Sequence, residues 1–311
     1  MISRVKVFYL VSLFFIAEFM PLSTYADELV DPPISETKHN LSVCALFKNE
    51  ANYLKEWIEY HKMVGVDHFY LYNNGSIDRS VEILIPYIKE GLVTLVQWPN
   101  RLPKHQIDNS MWALSTQLPA YENAAKYLAL KDTKWLVVLE VDEFIVPVNA
   151  KTISEILEGY DEYPGLQVVS DFFNTSLENK LPKRNLIIES IELTSAPDQK
   201  IENSVEKTIF KPEYYTSFYW PPYRCNFKDN KHAAKLAKGE LRINKYVNRS
   251  KGGWQFGKIK EKLHVDNRMI TDEEAHTLLE CGYEIEDQER AIYRFVPGLL
   301  KRMELDTGWN W

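Results

Sequence analysis

Through the first half of the chain, short β-branched apolar runs alternate with stretches of helical spacing. Leu41-Ser-Val-Cys-Ala-Leu-Phe47 reads as a strand, after which Leu54, Trp57, Ile58 and His61 recur at helical intervals. His68-Phe-Tyr-Leu-Tyr72 is the next strand, closed by Asn73-Asn74-Gly75-Ser76, and residues 80–90 follow as a helix. Leu92 to Trp98 makes a third strand and Leu118 to Leu130 a helix. Trp135-Leu-Val-Val-Leu139 is then apolar on both faces, as a buried parallel strand must be, and a further strand is expected over 166–170. This alternation predicts an α/β fold, a doubly wound, mostly parallel sheet with helices on both faces. Past residue 180, Pro182, Pro197, Pro212, Pro221 and Pro222 break the periodicity, and a partly helical tail over 284–303 is interrupted at Pro297. That half is kept in one domain with the first, 41–311.

Composition narrows the picture. At 311 residues and 45% hydrophobic the chain can bury a full core. A formal charge of −7 and pI near 5.6 argue against a protein that wraps nucleic-acid phosphates, so any anion site is local. Cys44, Cys225 and Cys281 are widely spaced, which excludes a CxxC zinc signature and leaves room for one disulfide. Residues 1–26 carry Arg4 and Lys6 before an apolar run from Val7 to Ala17, then small residues ahead of Asp27. This is the order of a signal peptide, with a retained signal anchor in the membrane as the competitor. Residues 27–40, rich in Pro, Asp, Glu and Ser, read as a linker.

In such a sheet, ligands bind at the carboxyl ends of the strands, and three polar clusters fall there. Lys48-Asn49-Glu50 follows the first strand, and Asn73, Asn74, Ser76 and Asp78 follow the second. Both can hydrogen-bond a base and ribose, although such residues also serve as turn and cap residues, Asp78 among them. The third cluster, Glu140-Val141-Asp142-Glu143-Phe144, stands at the mouth of the buried strand. In extended chain Glu140 and Asp142 share a face, so two hard oxygens can grip Mg²⁺ or Mn²⁺ while a diphosphate completes its shell. A late basic run includes Lys245 and Arg249, which could offset charge on a departing diphosphate. His61 reads as a packed core histidine.

The chain resembles glycosyltransferase family 92, among the glycosyltransferases of the GT-A fold. The resemblance is carried by Cys44-Ala-Leu-Phe-Lys-Asn-Glu50, Glu56-Trp57, His61, Tyr72-Asn-Asn-Gly-Ser-Ile-Asp78, Gln117, Tyr121, residues 135–144, Asn185-Leu186, Glu189, Lys207, Pro212, Asn244-Lys245-Tyr246, Arg249-Ser250 and the tail from Ile292 to Lys301. It implies transfer of a sugar, galactose among the candidates, from a UDP-sugar to a glycan or glycoconjugate acceptor. It also implies inversion at the anomeric carbon and a divalent metal, Mn²⁺ before Mg²⁺. Glu140 and Asp142 are then the expected metal ligands, with His264 a late one, and Asp171 and Glu143 are the candidate bases. Departures from the family pattern are Glu140 for the first aspartate of Asp-x-Asp, Lys245 for the histidine of Asn-His-Tyr, Phe173-Asn-Thr-Ser-Leu-Glu178 for a Gly-rich Phe-Gly-x-Ser-Gly-His stretch, and the loss near Tyr219 to Pro222 of a histidine expected after Pro212. The competing reading is a non-catalytic carbohydrate- or nucleotide-binding protein on the same fold.

Overall fold

The computed structural model describes residues 37–100, 109–174, 186–189, 192–193, 205–219, 224–246, 264–265, 268–269 and 287–305. Strand β1 (His39–Phe47) leads through helix α1 (Leu54–Met63) to β2 (His68–Asn73), and α2 (Ser80–Lys89) leads to β3 (Val93–Gln97). A helical run α3 over 109–132, in which α-helical turns alternate with two π-helical ones, precedes β4 (Thr133–Val138). These strands pair in parallel in the order β3-β2-β1-β4, each crossover carried by a helix. The segments expected from periodicity are all present, with β1 starting two residues early, inside the span read as linker.

Helices cover both faces because alternate strand residues point to opposite sides. Leu41, Val43 and Ala45 of β1 pack with Trp57 and Ile58 of α1 and Leu84 of α2, whereas Cys44 and Leu46 pack with Ala120, Tyr121 and Ala124 of α3. Gly65 closes the turn from α1 to β2 at φ +106, a conformation that costs a side-chain-bearing residue dearly. Cys44 and Cys225 are buried free thiols.

Beyond β4 the sheet stops being parallel. Its remaining strands are β5 (Glu143–Pro147), β6 (Gly165–Asn174), β7 (Glu192–Leu193), β8 (Val205–Phe210), β11 (Ala234–Lys235) and β12 (Leu241–Tyr246), while β9 (Tyr215–Phe218) and β10 (Cys225–Phe227) form a separate hairpin. The order continues β4-β8-β6-β12-β5, with β8 antiparallel to both neighbours, β6 parallel to β12, and β12 antiparallel to β5. The cause is local: only residues 139–142 separate β4 from β5, far too few for a crossover, so β5 cannot lie parallel beside β4. After a short helix α4 (Ile153–Leu157), capped by Thr152, the chain re-enters the sheet at β6. At the tail, Pro297 does not interrupt a helix. It sits in the first turn of α5 (Val296–Leu305), where a missing N–H costs nothing, and a 3₁₀ stretch (Asp287–Phe295) precedes it.

The described residues from 37 onward fall in one compact unit. Residues 1–36, where an export segment and most of a linker were expected, lie outside the described residues. Among the described residues no helix is long and apolar enough to cross a membrane.

Candidate functional site

The turn between β4 and β5 is the most heavily charged buried point described. It closes through Glu143 N–H donating to Glu140 O at 3.0 Å and Glu140 N–H donating to the Glu143 carboxylate at 2.8 Å. Neighbouring elements lock it: Tyr246 N–H donates to Asp142 O at 2.8 Å, and the Trp57 indole of α1 donates to Glu143 O at 2.8 Å. The turn residues are therefore fixed by backbone and core before any ligand arrives.

Two lysines reach this turn from distant strands. Glu143 Oε2 receives the Lys207 ammonium at 2.5 Å and Oε1 receives Lys245 at 2.6 Å, with all three side chains almost fully buried. Lys245 also bonds Glu140 at 2.9 Å and stands 3.9 Å from Asp142. The register explains the convergence. Lys245 lies opposite Glu143 across β12–β5 and opposite Phe172 across β12–β6, while Lys207 lies opposite Val168, four residues from Phe172 and so on the same face. Burial lowers the Lys207 pKa, and the Glu143 charge only partly offsets this. Tyr121 of α3, held by Gln117 at 3.3 Å, borders the cluster; burial and then the Glu140 charge raise its phenol pKa.

Glu140, Asp142 and Glu143 each place one carboxylate oxygen within 4.8 Å of the others, a spacing that a cation can use. The donor set suits Mg²⁺ or Mn²⁺, but the Lys245 ammonium already stands against all three carboxylates. As arranged, these residues fit an ammonium and do not fit a divalent ion bound by the trio. Two of the departures from the family pattern, Glu140 and Lys245, are thus in direct contact with each other.

The loops after β1 and β2 come together as expected, but their polar groups largely serve each other. Ser76 Oγ accepts Asn49 N–H at 3.0 Å, Asn49 Oδ1 accepts Ile77 N–H at 2.9 Å, and Ser80 Oγ accepts Glu50 N–H at 2.9 Å. Asp78 binds Ala51 N–H through Oδ2 and both Ser80 N–H and its hydroxyl through Oδ1, just ahead of α2, whose N-cap position is Arg79. Partial burial raises its carboxyl pKa, and these hydrogen bonds outweigh that, leaving it lowered. Asn73 bonds Ser76 N–H and Gln97, and Asn74 donates to Trp98 O and Asn100. Lys48 and Asn49 are exposed at the rim, and Asn49 holds φ +56, the left-handed region that asparagine tolerates.

The other expected residues do not gather here. Asp171 faces Asn244, one step out of phase with Lys245, so its side chain leaves the sheet on the opposite face, where it pairs with Lys238 at 3.1 Å. Glu143 carries an ammonium on each oxygen. Neither carboxylate is placed to take a proton at the cluster. Arg249 lies outside the described residues. His264 belongs to a two-residue strand paired with Arg268–Met269, and its side chain is likewise outside them. His61 is a core residue: its ring bonds Trp57 O at 2.8 Å and Ile145 N–H at 3.3 Å, and burial drops its pKa to about 3. Lys207 was not singled out from sequence as a site residue; a lone lysine in the apolar, β-branched run Val205-Glu-Lys-Thr-Ile-Phe210 was the available signal.

With this geometry in view, comparison with known proteins gives concordant matches. The sequence model described as "Glycosyltransferase family 92" matches residues 39–281. A glycosyltransferase family 92 protein of Oryza sativa subsp. japonica is 24% identical over 213 residues, 67% of this chain and 33% of that protein. The galactan beta-1,4-galactosyltransferase GALS3 of Arabidopsis thaliana is 34% identical over 116 residues, 35% of this chain and 21% of that one. The chain thus spans about a third or less of these relatives' lengths. Among solved structures, S. aureus TarS 1-349 in complex with UDP aligns at TM-score 0.38 and 10% identity, covering 87% of this chain and 76% of that one.

Proposed function

The chain belongs to glycosyltransferase family 92, and from that premise we propose that it transfers a sugar, galactose first among the candidates, from a UDP-sugar donor to a glycan or glycoconjugate acceptor. The observation that carries this reading is the acidic turn Glu140–Glu143 with its two buried lysines, at the carboxyl ends of the parallel strands, where α/β sheets bind ligands. The galactosyltransferase relative supports galactose. The rims after β1 and β2, with Lys48 and Asn49 exposed, would border the nucleoside.

In an inverting transfer, the acceptor oxygen bonds to the anomeric carbon as the carbon–oxygen bond to the diphosphate breaks. The acceptor proton passes to a base, and the electron pair leaves with UDP. The chain's share of this work is electrostatic and positional. The turn is locked by Trp57 and Tyr246, and fixed charges at the mouth need no reorganisation when the diphosphate departs. The N-terminal segment would send the enzyme to a compartment supplied with nucleotide sugars, as a cleaved signal or an anchor.

A second reading, sugar-nucleotide binding without turnover, is favoured by one observation: neither Glu143 nor Asp171 is placed as a base at the cluster. Calorimetry with UDP, followed by release of UDP from UDP-galactose with and without glycan acceptors, separates the two. Acceptor-dependent UDP release supports the transferase. Binding without release supports the second reading, and no binding of UDP or UDP-sugars removes both.

A further inference from the structure

We propose that the Lys245 ammonium is the resident cation of the acidic turn, taking the charge-balancing place of a divalent ion, so that the chain binds Mn²⁺ weakly and UDP without it. The part concerning UDP rests on the nucleotide-sugar reading above; the part concerning the metal does not.

The geometry is specific. The Lys245 ammonium stands 2.6 Å from Glu143, 2.9 Å from Glu140 and 3.9 Å from Asp142, on a side chain that is 4% exposed. Those carboxylates are the same trio whose oxygens lie within 4.8 Å of one another. A divalent ion held by that trio would sit about 2.0–2.6 Å from each oxygen, and hence against the ammonium. A protonated lysine has three donors and no lone pair, so it cannot join the ion's shell; it can only repel it. The β12–β5 register sets the Lys245 backbone directly opposite Glu143, and with its side chain 4% exposed the ammonium has no ready path into solvent. Lys207 adds a second ammonium on Glu143 at 2.5 Å. Among the described residues, three carboxylates against two ammoniums leave one formal negative charge, less than a divalent ion needs for neutrality.

The test is titration of MnCl₂ into chelator-stripped full-length protein, with wild type, Lys245→Met and Lys245→Arg compared by calorimetry and circular dichroism used to check folding. Wild type and Lys245→Arg should show no saturable uptake below about 1 mM, whereas Lys245→Met should bind at least about tenfold more tightly, and Asp142→Asn on that background should abolish the gain. A wild-type site in the micromolar range that Asp142→Asn removes overturns the proposal, as does a folded Lys245→Met protein that gains nothing. In parallel, UDP is titrated into wild type in EDTA and in MnCl₂. Affinities within about threefold of each other support the proposal, and UDP binding seen only with Mn²⁺ overturns it. Absence of UDP binding in both conditions overturns the nucleotide reading and the UDP part, while the MnCl₂ titration still decides the lysine's role.

Discussion

Replacing Glu143 by Gln removes one charge and almost no volume, so its cost is set by what that charge holds. The ammoniums of Lys207 and Lys245 lie 2.5 and 2.6 Å from its two oxygens, on side chains 2% and 4% exposed. Removing one partner of a buried ion pair costs about 3–5 kcal/mol, because the surviving charge stays out of water. Lys245 keeps Glu140 at 2.9 Å and Lys207 keeps Val138 O at 3.4 Å, so neither ammonium loses all its described contacts. The expected destabilisation is therefore near the lower end, about 3 kcal/mol, or a fall in Tm of about 6–12 °C for a unit of this size. Urea unfolding followed by circular dichroism measures it. The informative comparison is Glu143→Gln/Lys207→Met, in which an apolar side chain of similar length replaces the buried ammonium. The double variant should recover at least about 2 kcal/mol relative to the sum of the single losses. A Glu143→Gln protein melting within about 2 °C of wild type, or losses that simply add, would refute the account of this network.

Three further outcomes follow from the same structure. His61 has a folded pKa of about 3 against about 6.5 unfolded, so between these values the unfolded chain binds the extra proton and stability falls as pH drops. From pH 6.5 to 5 this removes about 2 kcal/mol, and urea melts at both pH values should show that loss in wild type but not from this source in His61→Gln. Asp78→Ala removes the carboxylate that accepts Ser80 N–H and hydroxyl at the start of α2 and Ala51 N–H in the neighbouring loop, and should cost about 1–2 kcal/mol by thermal melt; an unchanged Tm would mean those hydrogen bonds are replaced by water. Glu140→Asp withdraws the carboxylate from Lys245 by about 1.5 Å, which should cost under about 1 kcal/mol at this partly exposed position and leave Mn²⁺ uptake as low as in wild type, because Lys245 stays against Glu143; saturable Mn²⁺ uptake by this variant in calorimetry would contradict the arrangement.

The amino-acid sequence by itself determined what depends on neighbours along the chain. Alternation and helical spacing fixed β1 through β4 and their intervening helices, because side-chain direction repeats every 2 or 3.6 residues whatever the rest of the chain does. The acidic turn was legible for the same reason: charges directly after an all-apolar strand mark the mouth of a parallel sheet. His61 could be read as core from its place on the apolar face of α1. What only the tertiary structure decided is which charges meet. Glu143 joins Lys207 and Lys245 across 64 and 102 residues of sequence, and Asp171 leaves on the other face because it is one step out of register with Lys245. No local pattern encodes that parity, since a one-residue shift reverses every side chain of a strand. Likewise, the Asn73–Asp78 and Lys48–Glu50 loops looked equally suited to a ligand or to turns. Their hydrogen bonds to each other, formed only once β1 and β2 lie side by side, decided how much of that polarity is left over.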